Sequence, residues 1–143
     1  MARERFRGAV PDGLLYDTRH DMWVRREGEA VVIGATSLGI FLAGEIIAFT
    51  AKPKGAEVAR GRGLGTVECA KTVLAVHAPI SLILDEGNEA AEENPALVNG
   101  DPYGRGWMVR GRPLDWAGEC GGLVDAAAYR RHVLALEPDA ELP

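Results

Sequence analysis

Gly65-Thr66-Val67-Glu68-Cys69-Ala70-Lys71-Thr72-Val73-Leu74-Ala75-Val76 sets one lysine between two apolar runs of β-type residues. If residues 66–69 and 73–76 pair as antiparallel strands, Ala70-Lys71-Thr72 falls at the bend, with Lys71 the ionisable side chain at its tip. Such a lysine is open to a modifying enzyme. It also reads as an ordinary solvated turn residue, because exposed lysines are common. The strand pattern persists outward from the hairpin. Ala30-Val31-Val32-Ile33-Gly34, Glu45-Ile46-Ile47-Ala48-Phe49-Thr50 and Thr72-Val73-Leu74-Ala75-Val76-His77 are short β-type blocks. Glu27-Gly28, Lys52-Pro53-Lys54-Gly55, Arg60-Gly61-Arg62-Gly63 and Ala78-Pro79 divide them with turn chemistry. The prediction is a mainly β body, a sandwich or barrel of short antiparallel strands.

After Leu84 the character changes. Asp85-Glu86-Gly87-Asn88-Glu89-Ala90-Ala91-Glu92-Glu93 reads as an acidic, solvated loop. Asn94-Pro95 supplies a cap and a first residue for a short helix near 95–99. Asp101-Pro102-Tyr103-Gly104 is a turn, Trp107-Met108-Val109-Arg110 a returning strand, and Tyr103 and Trp107 are expected to hold the turn onto the barrel. Asp125 can cap a C-terminal helix near 125–136, with Tyr129, Val133 and Leu136 on its packing face. Residues 1–12 and 137–143 lack a burying pattern and are expected to be a flexible N-terminus and tail, leaving 13–136 as a single domain.

A chain of 143 residues suits one domain. With 21 acidic against 16 scattered basic side chains and a net charge of −5, it is poorly equipped to neutralise phosphates, which sets nucleic acid aside. No apolar run is long enough for membrane insertion, and Met1-Ala2-Arg3-Glu4-Arg5-Phe6-Arg7 lacks the apolar core of a signal peptide, so the expected location is cytoplasmic. Cys69 and Cys120 form neither a disulfide framework nor a metal motif, and no two of the three histidines sit at ligand spacing. Gly61-Arg62-Gly63-Leu64-Gly65 lacks the lysine and helix of a phosphate loop, and neither Ser37 nor Ser81 has a local histidine. The residues spell no enzyme active site.

Glu68-Cys69-Ala70-Lys71 resembles the Glu-Ser-x-Lys lipoyl-attachment motif of glycine-cleavage H proteins. Gly44-Glu45-Ile46-Ile47, the turn glycines Gly55 and Gly61, Pro79, Asn88-Glu89, Pro95-x-Leu97-Val98-Asn99 and Asp101-Pro102-Tyr103-Gly104-x-Gly106-Trp107 continue the likeness in register. It runs from Tyr16 to Tyr129 with almost no gap. The resemblance implies a flattened barrel-sandwich hybrid of the lipoyl-domain kind with terminal helices. It also implies lipoate amide-linked to Lys71, with Glu68 on the surface read by lipoylation enzymes or merely solubilising an edge strand. Biotin is disfavoured, since its carriers flank the lysine with methionines. A lipoyl arm would act as a tether that raises the effective concentration of a dithiol at successive partner sites, in a carrier without an active site of its own.

Two departures bear on the cargo. H proteins of glycine cleavage place one acid in a His-Glu-Trp segment and another four residues after the lipoyl lysine. The second position is Ala75 here, and the first segment, His20-Asp21-Met22-Trp23, is one residue longer, which leaves open whether Asp21 fills the acidic position. His20 and Asp21 are therefore candidate cofactor-contacting residues, and Trp23 either lines the arm's cleft or packs in the core. With Leu38-Gly39-Ile40-x-Leu42-x-Gly44-Glu45, these features look like the H-protein-like lipoate-binding proteins of heterodisulfide-reductase-like sulfur oxidation. That likeness implies an arm carrying sulfur-containing intermediates, with a heterodisulfide-reductase-like complex and a lipoamide dehydrogenase as partners. The alternative is an H protein carrying an aminomethyl group among the glycine cleavage P, T and L proteins; a third reading is an unmodified scaffold. Cys69 reads as strand packing or as a thiol able to meet the dithiolane. His77 and His132 are expected to face solvent or fill ordinary contacts.

Overall fold

The computed structural model describes residues 4–143; the first three, part of the expected flexible N-terminus, lie outside the described residues. β1 (Leu15–Asp17), β2 (Met22–Glu27) and β3 (Ala30–Ala35) lead into α1 (Ser37–Ala43), β4 (Ile46–Ala51) and the two-residue β5 (Glu57–Val58). β6 (Gly63–Cys69), β7 (Thr72–His77) and β8 (Leu82–Gly87) follow, then the short helices α2 (Glu89–Glu93) and α3 (Ala96–Gly100). β9 (Val109–Pro113), α4 (Trp116–Glu119), a 3₁₀ turn over Cys120–Gly122 and α5 (Ala126–Leu136) complete the chain.

All named strand pairs are antiparallel. One sheet has the order β1-β2-β3-β9-β8-β5 and the other β4-β6-β7. The expected mainly β barrel-sandwich is borne out, in an open rather than closed form. The alternation of β6 shows how the sequence builds it: Val67 and Cys69 are buried, while Thr66 and Glu68 between them are exposed. The inward set meets Val24, Ile33, Leu82 and Leu84 of the larger sheet in one core. A second core lies under α5, where Tyr129 and Val133 pack with Tyr16, Trp23 and Leu38.

Several expectations are corrected. Residues 37–43, inside the region read as strands alone, form α1. The local signals were present: Thr36 Oγ1 accepts from Gly39 N at 3.1 Å as N-cap, and Gly44 closes the helix at φ +86°. The acidic run is ordered: Asp85, Glu86 and Gly87 belong to β8, Glu89–Glu93 to α2, and buried Asn88 between them donates to the carbonyls of Arg105 and Trp107. The short helix is Ala96–Gly100, and Pro95 precedes it rather than opening it. In the C-terminal helix Asp125 caps Ala128 N as expected, and Tyr129 and Val133 are buried, but Leu136 is 51% exposed because the helix ends beyond the core edge. The returning strand begins at Val109, two residues later than expected.

The described part of the termini is packed. Phe6 and Val10 are buried, Gly8 N donates to Glu141 O at 3.1 Å, and Glu141 N donates to Phe6 O at 2.9 Å. Each segment supplies the backbone partners the other lacks, a pairing that no local periodicity announces.

Candidate functional site

β6 and β7 form the predicted hairpin. Cys69 pairs with Thr72, Glu68 with Val73, Val67 with Leu74 and Thr66 with Ala75. The bend is thus tighter than expected: Thr72 is already in the strand, and Ala70 and Lys71 alone make the turn. Lys71 is exposed there, with no hydrogen bond or ion pair among the described residues. Glu68 is also exposed, but β6 is the central strand of its sheet, so the edge-protection reading of Glu68 fails; β7 is the edge strand. Cys69 points into the core, which supports its packing reading. Cys120, partly exposed at the 3₁₀ turn, lies outside this assembly.

β7 carries more than the turn. Its first four residues are exposed, including Val73 at 61% and Leu74 at 40%. Leu74, Ala75 and His77 line a cleft of about 120 Å³ together with Gly39, Ile40 and Ala43 of α1. His20 and Asp21, from the turn before β2, also line it. The lining is largely apolar, and Asp21 is the one acidic residue in it. Asn99 of α3 holds the wall in place: its Oδ1 accepts from Ile46 N at 2.9 Å and its Nδ2 donates to Gly44 O at 3.0 Å, bracing the exit of α1.

The longer His20-Asp21-Met22-Trp23 segment closes as a tight turn in which Asp21 N donates to Asp17 O at 2.9 Å and Asp21 takes φ +57°. Asp, with its short polar side chain, is among the few L-residues that tolerate this region. Its carboxylate is engaged away from a free position. Oδ1 accepts from Tyr129 Oη at 2.8 Å and lies 3.2 Å from His132 Nε2. Burial pushes the Tyr129 phenol far above the usual tyrosine range; its hydrogen bond to Thr36 works in the other direction, and the adjacent Asp21 charge adds to the rise.

His20 lines this cleft, whereas Trp23 does not. Trp23 is fully buried, donates Nε1–H to Pro102 O at 3.0 Å and packs on Gly34. Tyr103 ties the turn at 101–104 to the body, donating to Ala9 O at 2.6 Å and accepting from Ser37 N at 3.0 Å. His77 was missed as a cleft residue. Its ring stacks on that of His20, centroids 4.4 Å apart and planes 22° from parallel, a meeting of β7 with a distant turn that leaves no local trace in sequence.

The family model for the glycine cleavage H-protein matches residues 14–135. The chain belongs to the glycine cleavage H-protein family. Among relatives of this family, the glycine cleavage system H protein of Halorhodospira halophila is 39% identical over 125 residues, covering 87% of this chain and 95% of the relative. That of Bacteroides thetaiotaomicron is 38% identical over 120 residues, covering 84% and 94%. The crystal structure of a glycine cleavage system H protein from Mycobacterium marinum superimposes with a TM-score of 0.74 at 30% identity, covering 85% of this chain and 96% of that one. As a member of this H-protein family the chain is a lipoyl carrier, and family membership brings with it lipoate held covalently on a lysine.

Proposed function

We propose that Lys71 is the lipoyl attachment point and that this chain serves as the carrier of a glycine cleavage system, moving an aminomethyl cargo among P, T and L proteins. The observation that carries the reading is an exposed lysine at a two-residue hairpin turn whose following strand walls an apolar cleft. Lipoate, when bound, supplies a dithiol that can be acylated, alkylated or oxidised. The chain's own residues do the rest. The paired strands fix the base of the tether, Leu74 and Ala75 offer a surface on which its aliphatic part can lie, and exposed Glu68 stands on the surface that a lipoylation enzyme meets. The chain has no active site of its own; it raises the local concentration of a tethered group at each partner. Relatives that are H proteins of glycine cleavage systems, matched over nearly their whole length, support this pathway.

A second reading is favoured by the cleft itself. Ala75 replaces an acid expected from the family pattern, and the Asp21 carboxylate is turned onto Tyr129 and His132. Less negative charge is left to hold an ammonium than a glycine-cleavage cargo would use. A sulfur-containing cargo, exchanged with a heterodisulfide-reductase-like complex and a lipoamide dehydrogenase, suits such a site.

The test is the intact mass of the protein isolated from cells with an active lipoylation pathway, with peptide mapping of the modified residue. A lipoyl increment on Lys71, absent in Lys71→Arg, is expected. An unmodified Lys71 beside a fully lipoylated control H protein overturns the proposal. Glycine-dependent bicarbonate exchange with purified P, T and L proteins then separates the pathways: robust exchange supports glycine cleavage, and none, with persulfide or sulfonate mass on the arm, supports sulfur transfer.

A further inference from the structure

The stacked imidazoles of His20 and His77 are built into the cleft in a defined protonation geometry. His77 Nδ1 lies 2.9 Å from the carbonyl oxygen of Gly61. A carbonyl only accepts, so Nδ1 must carry hydrogen, and in the neutral ring Nε2 is then a bare lone pair. His20 Nδ1 lies 3.0 Å from Asp17 Oδ2, and the same logic leaves its Nε2 bare. Among the described residues neither Nε2 has a hydrogen-bond partner. Two part-buried, stacked rings that line a largely apolar cleft thus each carry an Nε2 without a hydrogen-bond partner among the described residues.

We infer that His20 and His77 form a paired base that takes the proton of a thiol brought into the cleft on the Lys71 arm; this rests on lipoylation of Lys71. Reach permits it. Lys71 and His77 stand six positions apart on the hairpin. That is about 20 Å at roughly 3.3 Å per residue. An extended lipoyl-lysine arm of about a dozen bonds spans roughly 15 Å at about 1.25 Å per bond, and an imidazole sets its Nε2 about 4–5 Å from its own Cα, so the two side chains together cover about that distance. In the step itself the S–H bond breaks, an N–H bond forms at Nε2, and the electron pair stays on sulfur, so no oxidant or reductant is needed. The imidazolium left behind is held by charge already in place. Asp17 faces His20, and the Gly61 carbonyl faces His77. The other charged groups around the pair are Asp21, tied to Tyr129 and His132, and Arg19 and Arg60, which border the neighbouring pocket that His20 also lines. The consequence is a reduced arm that is more nucleophilic when docked than when free, a property useful with either cargo.

The test uses full-length protein carrying Cys69→Ala and Cys120→Ser, lipoylated, reduced, and checked by intact mass. The rate of its alkylation by iodoacetamide is followed against pH. In this background, His20→Gln with His77→Asn is expected to slow alkylation at pH 7 about tenfold, the change in thiolate fraction for a one-unit rise in thiol pKa. The midpoint should move to that of free dihydrolipoamide. Equal rates and profiles in fully lipoylated parent and variant overturn the inference while leaving the carrier reading intact, whereas failure of Lys71 to be lipoylated at all overturns the carrier reading. A second readout needs no lipoate. Nitrogen-15 NMR of the unmodified protein at pH 8 is expected to show both neutral rings protonated at Nδ1, and protonation at Nε2 would also overturn the inference.

Discussion

Lys71, the proposed lipoyl attachment point, is a residue on which nothing in the fold leans. It is exposed and makes no ion pair or hydrogen bond among the described residues. Lys71→Arg is therefore expected to leave the melting temperature within a degree or two while abolishing lipoyl incorporation, since a guanidinium cannot form the amide. Calorimetry beside intact mass checks both halves. Gly34 is the opposite case, a position where the packing tolerates no added side chain. A Cβ there would lie 2.6 Å from the Trp23 ring, which is fully buried and cannot retreat. Gly34→Ala should cost on the order of 1–3 kcal/mol through overpacking, measured by denaturant titration. The sequence identified Lys71 because a turn and its flanking strands are local signals. It left the place of Asp21 open, because the direction of its carboxylate depends on Tyr129 and His132 from the far end of the chain.

Among the elements, the hairpin and the cleft wall divide the work. β6 and β7 were legible from alternation, and the C-terminal helix from its Asp125 cap and spacing. α1 was missed although its Thr36 cap and Gly44 stop are local, because Leu38 and Ile40 also suit a strand and its seven residues span barely two turns. The tertiary frame settles the choice by packing Leu38 beneath α5 and Ile40 against the sheets. The brace from Asn99 to Gly44 and Ile46 makes the cleft's geometry depend on α3. Asn99→Ala leaves a backbone N–H and a carbonyl without their partners and is expected to cost about 1–3 kcal/mol. Hydrogen exchange should rise at Ile46 before it rises in β6; uniform acceleration through the whole chain would contradict a local brace.

For the molecule as a whole, stability is carried by two cores and by the closure of the termini. Removing residues 138–143 takes away the backbone partners of Phe6 and Gly8 and exposes the second core, so a lower melting temperature with intact lipoylation at Lys71 is expected. The buried tyrosines set the alkaline limit. In the unfolded chain Tyr129 ionises near pH 10, whereas in the native state burial holds it protonated well above that. Above pH 10 the unfolded state has released a proton that the native state retains, so stability falls as pH rises. Tyr16 acts in the same direction for the same reason. Tyr129→Phe is expected to be less stable at neutral pH, having lost its contacts to Thr36 and Asp21, but to show a shallower decline between pH 10 and 12 in urea titrations.

By itself the sequence determined the mainly β pattern, the hairpin and the lysine at its turn, because alternation, turn chemistry and helix caps act over a few neighbouring residues. Only the tertiary structure decided that His20 stacks on His77 where both line a cleft, that α1 helps to line it, and that the described terminal segments pair with each other. Each of these joins residues far apart along the chain. Their free energy comes from burial and from hydrogen bonds that exist only once the sheets have closed around them.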